Sequence, residues 1–127
     1  MSTEPLPDAA RDLADVPAVE VITTAAVHLM SAAAVKCGLV SADDLVGAVG
    51  DDGQPLTPDD LMDLAEARSL ITSLAGLVTA AAPEIGSQHA RALRDGLRSL
   101  QLAFREASVV ADAPGQGPGE KLTGPVR

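Results

Sequence analysis

The side chains able to do chemistry in this chain are few, and their spacing does not assemble a site. There are two histidines, His28 and His89, and one cysteine, Cys37. His28 and Cys37 are nine positions apart, which puts them on opposite sides of one helix, so they cannot share a metal. His89 has no ligand spacing to either. A thiol at a helix C-terminus lacks the dipole support that favours thiolate, so Cys37 reads as a small buried apolar residue. The acids come as adjacent pairs, Asp43/Asp44, Asp51/Asp52 and Asp59/Asp60. With Gly53 as its central glycine, a calcium loop would start at Ala48 and end at Asp59, which fails the ligand pattern. These acids instead suit turns and a helix start. The segment GQGPGEK, Gly115 to Lys121, lacks the spacing of a phosphate loop and follows no strand. No catalytic residue, cofactor or metal is expected, and the chain is not expected to be an enzyme. A site around Glu20 and His28 would lack a nucleophile, a metal and a cofactor cradle.

One basic constellation stands out. Arg91, Arg94, Arg98 and Arg105 fall within an arc of about 60° on one helix. They form a candidate anion-contact stripe in a chain of net charge -9. Such a stripe can meet phosphates, but no aromatic residue interleaves with it to stack bases. The acidic balance also opposes non-specific attraction to nucleic acid or anionic membrane.

The elements that carry these residues are helical. From Val21 to Val35 the chain has no formal charge, and from Pro17 to Val40 only Glu20 and Lys36. A helix is expected from Pro17 to Gly38, residues suited to a first turn and a C-terminal stop. Ser41 and Asp44 suit a short helical turn in the connector Val40–Leu56. A second helix should start with Thr57 as cap and Pro58 inside, run to Ala82 and stop at Pro83. A third should start from Ser87 and reach Ser108. Leu64, Ala67, Leu70, Ile71, Leu74, Leu77, Val78 and Ala81 share one face of the second helix. Leu93, Leu97, Leu100, Ala103, Phe104 and Ala107 share one face of the third. The short turn between them implies an antiparallel hairpin, with Asp60, Asp63 and Glu66 brought near Arg98 and Arg105.

The fold class expected is all-α, three main helices with the last two as the hairpin. Residues 1–15 read as a flexible tail with a helical turn capped by Asp8, 16–110 as one helical domain, and 111–127 as a disordered Pro/Gly-rich tail. Glu4, Asp8, Asp12 and Asp15 against Arg11 do not suit an export signal, and one cysteine excludes an internal disulfide. The apolar run is shorter than the ~20 residues of a membrane span and is broken by Thr23, Thr24, His28 and Ser31. A cytoplasmic protein is expected.

The first helix carries more apolar surface than one hairpin covers. Its polar residues Glu20, Thr24, His28 and Ser31 form a seam about 80° wide. Ile22, Ala25, Ala26, Leu29 and Ala33 are the expected self-association face. A core of Ala, Leu and Val with a single aromatic, Phe104, gains most from close helix approach or from a second subunit.

The segments VEVITTAAVHLMSAAAVKCGL, LAEARSLITSLAGLVTAAAPEIGS and LRDGLRSLQLAFREAS resemble the bacterial family catalogued as domain of unknown function 1844, in its actinobacterial form. The resemblance spans Val16 to Ser108 and implies a small helical cytoplasmic protein. It carries over no catalytic or binding residue. Broader members have a Lys-rich turn before the last helix, where this chain has AAAPEIGS, Ala80 to Ser87. The expectation is a non-enzymatic interaction protein, a homodimer through residues 17–38. The alternative is an RNA- or ribosome-associated accessory protein using the arginine stripe.

Overall fold

The computed structural model describes residues 13–126. The Asp8 turn, and most of the tail expected over residues 1–15, lie outside the described residues. The fold is all-α: α1 (Ala18–Lys36), a 3-10 turn (Ala42–Leu45), α2 (Pro58–Leu61), α3 (Leu64–Ile85), α4 (Ser87–Ala107) and α5 (Glu120–Thr123). Among the described residues the only β pairing is one bridge, Val49 to Pro55.

Local chemistry explains the boundaries. Helix α1 has Glu20 in its first turn and Lys36 in its last, both favourable to the helix dipole. It ends in a Schellman motif. Gly38 takes φ +79°, the Gly38 amide donates to the Val35 carbonyl at 3.0 Å, and the Leu39 amide donates to the Ala34 carbonyl at 3.0 Å. The Ser41 hydroxyl caps the 3-10 turn by accepting from the Asp43 amide. In the acidic connector the Asp52 carboxylate accepts from the Gln54 amide at 3.0 Å, so this acid closes a turn.

The single helix expected from Thr57 to Ala82 is two helices. Thr57 and Asp60 form a capping box around α2. The backbone then turns extended at Met62 and Asp63. Asp63 restarts the chain as the cap of α3, accepting from the Glu66 amide at 3.1 Å. Its own amide donates to the Lys36 carbonyl at 2.9 Å, satisfying an orphan acceptor at the end of α1. That long-range bond is what divides the segment. Nor does Pro83 end the helix. Helix α3 continues to Ile85, which is 6% exposed, and stops at Gly86 with φ +85°. Proline removes only the bond to the carbonyl four residues back, here that of exposed Thr79, while burial of Ile85 holds the last turn. Gly86 is then the cap of α4, and Ser87 is its first residue.

Helices α3 and α4 form the expected antiparallel hairpin, and α1 lies across both. Ile71, Leu74 and Val78 of α3 meet Leu93, Leu97, Leu100 and Phe104 of α4 in one core with Ala26 and Ala33 of α1. Leu64, Leu70 and Leu77 flank it.

The expected disorder of 111–127 is corrected over the described residues. Asp112 to Val126 forms a strap across the hairpin. Gly117, Pro118, Gly119 and Val126 are buried. Prolines and glycines do not prevent order when specific partners restrain the backbone, and the partners here come from both α3 and α4.

Candidate interaction surfaces

Helix α1 presents two unlike sides. Ala26 and Ala33 are wholly buried within the chain. Ile22 and Leu29 are half-buried against the same core. Four of the five residues expected to contact a second copy therefore face the hairpin, and only Ala25 is exposed. The reason is burial: this side carries the larger apolar side chains Ile22, Leu29 and Met30 beside its alanines, whereas the opposite side carries Thr24, His28 and Ser31. A Cβ built on Gly96 of α4 would stand 2.8 Å from the Met30 sulfur, which shows how tightly α1 and α4 meet. The opposite side of α1 is uncovered. Val21 is 44% and Val27 49% exposed. The seam residues Glu20, Thr24, His28 and Ser31 are all exposed with them.

The structure divides the arginine stripe. Arg105 donates to the Val126 carbonyl at 3.1 Å and so holds the strap. Arg94 and Arg98 border a groove of about 620 Å³ whose apolar lining includes Val78, Leu97, Leu122 and Val126. Arg91 lies beside a separate hollow with Gln88 and Asp95. The expected pairing of Arg105 with the acids at the start of the hairpin is replaced. Asp60 and Asp63 are used in helix caps, and Arg105 serves the strap.

His28 stands on the exposed side of α1, apart from Cys37, which is 4% exposed. His89, rather than His28, is brought beside Glu20 and Thr24, at a shallow hollow that Val19 and Thr23 complete. Among the described residues no group of three His, Cys, Asp or Glu converges as a metal site. Burial pushes the Cys37 thiol above its ordinary range by desolvating the thiolate. The folded thiol thus keeps its proton to higher pH than the unfolded one. This contribution to stability is whole below the unfolded thiol range and is lost as pH rises above it. We expect Cys37 to react with an aromatic disulfide reagent at pH 8 at least about tenfold more slowly than in the urea-unfolded chain. Equal rates would contradict its burial.

The residues that composition did not single out are those of the strap and its receivers. Arg68 on α3 donates to both carboxylate oxygens of Asp112, at 2.8 and 3.0 Å, and its guanidinium lies 4.9 Å from the centre of the Phe104 ring. Gln101, 2% exposed, donates to the Pro118 carbonyl at 3.0 Å and to the Thr123 hydroxyl at 3.1 Å. Glu120 accepts from the Gly115 and Val126 amides. One signal was present in the sequence: Gln101 sits on the apolar face of α4, between Leu97 and Phe104, and a buried amide needs partners.

Residues 18–106, more than half of the chain, match the family described as Domain of unknown function (DUF1844). The chain belongs to that family. No curated protein and no solved structure matches it. The DUF1844 match spans α1 to the last turn of α4, so the strap lies beyond the matched residues. Within the matched region lie α1, with its uncovered side, and three of the strap's receivers, Arg68, Gln101 and Arg105.

Proposed function

We propose that the chain is a small non-enzymatic interaction protein of the cytoplasm, a homodimer formed through the uncovered side of α1. One observation carries this reading: of nineteen residues in an apolar helix, only Ala26 and Ala33 are fully buried. The exposed valines and alanine beside the seam are the kind of surface that a second subunit removes from water. By length and composition α1 is also long and apolar enough to cross a membrane. Its packing on α3 and α4 supports a domain helix instead, since insertion would strip it from Leu74 and Leu97 and expose that core. The turn Ala80–Ser87 departs from the Lys-rich turn of broader members, so no partner is read through it, and the actinobacterial form rests on the resemblance of the three helical segments alone. The RNA reading has less support, because Arg105 is committed to the strap and Arg94 and Arg98 border an apolar groove.

Light scattering over a concentration series tests the proposal. The parent chain should reach dimer mass at micromolar concentration. Ala25→Glu, which buries a carboxylate and its symmetry mate together, should raise the dissociation constant by about 100-fold or more with unchanged helicity. A parent chain that stays monomeric at high micromolar concentration and binds no apolar dye overturns it.

A further inference from the structure

We infer that the groove between the hairpin and the strap binds a medium-chain aliphatic carboxylate, its head on Arg94 and its chain along the apolar lining. The inference is independent of the dimer, since no lining residue belongs to α1. The groove has three walls: Val78 comes from α3, Arg94 and Leu97 from α4, and Leu122 and Val126 from the strap. Its volume of about 620 Å³ lies within the range of small-molecule sites, about 300–1,000 Å³. The strap wall is fixed by the chain's own bonds. Arg105 donates to the Val126 carbonyl, Glu120 accepts from the Val126 amide at 3.2 Å, and Gln101 donates to the Thr123 hydroxyl. A wall already ordered in this way leaves little ordering for a ligand to pay in entropy.

The lining selects the ligand. Its apolar members, Val78, Leu97, Leu122, Pro125 and Val126, are all aliphatic. No aromatic ring offers a planar ligand a stacking surface, so a flexible hydrocarbon chain fits where a nucleobase does not. Charge complementarity sets the head group. In a chain of net charge -9, no aspartate or glutamate lines the groove, and both charged residues that do are arginines. Arg94 and Arg98 stand one helical turn apart on the same face of α4. Arg98 already makes an interaction within the chain, so it adds positive potential and Arg94 makes the contact. Arg94 forms no ion pair or hydrogen bond among the described residues. Its guanidinium presents parallel N–H donors that match the two oxygens of a carboxylate. One such donor group above an aliphatic floor calls for a single negative charge at the end of a hydrocarbon chain, not for a polyanion.

Amide-resolved NMR titration of the full chain tests this, with each probe kept below its micelle-forming range. Decanoate should shift the amides of Leu97, Leu122 and Thr123. It should bind about tenfold tighter than octanoate, which has two methylenes fewer to bury. Arg94→Gln should weaken decanoate at least about tenfold and leave the affinity for uncharged decanol unchanged. Leu122 is 52% exposed, so Leu122→Glu keeps the fold while setting a carboxylate beside the site. That variant should lose decanoate binding with unchanged helicity. The proposal is overturned if millimolar decanoate shifts nothing, or if the shifts fall on α1 instead of the groove. It is equally overturned if Arg94→Gln weakens decanol as much as decanoate, or if neither variant changes the decanoate affinity.

Discussion

Replacing Gly119 with valine lowers the unfolding free energy by about 2–4 kcal/mol in urea titrations and frees the C-terminal strap. Two costs combine. Gly119 has φ +76°, a left-handed conformation that costs an L side chain about 1–2 kcal/mol. A Cβ there would also stand 2.6 Å from the Ala75 Cβ and 3.3 Å from the Gln101 Nε2. Ala75 is a fully buried helix residue and cannot yield, so the strap must lift, at an overpacking cost of about 1–3 kcal/mol. Lifting it removes the Pro118 and Thr123 acceptors from Gln101 and leaves a buried amide unpaired. The Asp112 carboxylate then leaves Arg68 as well. Trypsin should cut at Lys121 at least about tenfold faster in the variant. Gly124→Ala is the comparison that isolates the contact. Gly124 also has a positive φ, +81°, but a Cβ there meets nothing within 4 Å. It should lose the backbone share alone, about 1–3 kcal/mol for a side chain at φ +81° and ψ 171°, and keep the strap docked. Equal acceleration of the Lys121 cut in the two variants would show that the approach to Ala75 does not govern docking.

Replacing Ala33 with leucine costs about 1–3 kcal/mol of stability, whereas the same change at Ala25 costs less than about 0.5 kcal/mol. Both are alanines of one helix and eight positions apart. Ala33 has no exposed surface and lies in the core cluster with Ile71, Leu74 and Leu97. An added isobutyl group there must push α1 off the hairpin or force its neighbours out of their rotamers. At Ala25 the same group enters solvent in the single chain. Chemical denaturation of both variants at concentrations low enough to keep the chain monomeric measures the difference directly. If Ala25→Leu proves the more destabilising, the assignment of inner and outer sides of α1 is reversed.

These two substitutions mark where sequence reasoning about this chain succeeded and where it stopped. The three long helices were legible because apolar residues recur at helical spacing from Leu64 to Ala81 and from Leu93 to Phe104. The stop at Gly38 follows from backbone freedom that only glycine has, whereas the stop expected at Pro83 falls at Gly86 because burial of Ile85 holds the last turn. The division at Asp63 had a local signal, an Asp three residues before Glu66, but the Lys36 carbonyl that draws the chain out of helix lies 27 positions earlier. The strap was misread because composition measures an average tendency to order. Order here depends on Arg68, Gln101 and Arg105, which lie 44, 17 and 21 positions from their partners Asp112, Pro118 and Val126.

The sequence by itself determined that α1 is apolar on most of its circumference, with one seam of Glu20, Thr24, His28 and Ser31. Helical periodicity and side-chain type suffice for that. Which of the remaining sides turns inward was decided only in the tertiary structure. Ile22, Ala26, Leu29 and Ala33 form one apolar side, and Val21, Ala25, Ala32 and Val35 form a second, less bulky one around His28. Apolar residues on both sides leave the choice open along the chain, although the bulkier Ile22 and Leu29 gain more from burial. The tertiary contacts decide it: α3 and α4 take the side on which Ile22 and Leu29 reach their core and Met30 lies over Gly96, and they leave Val21, Ala25 and His28 outside.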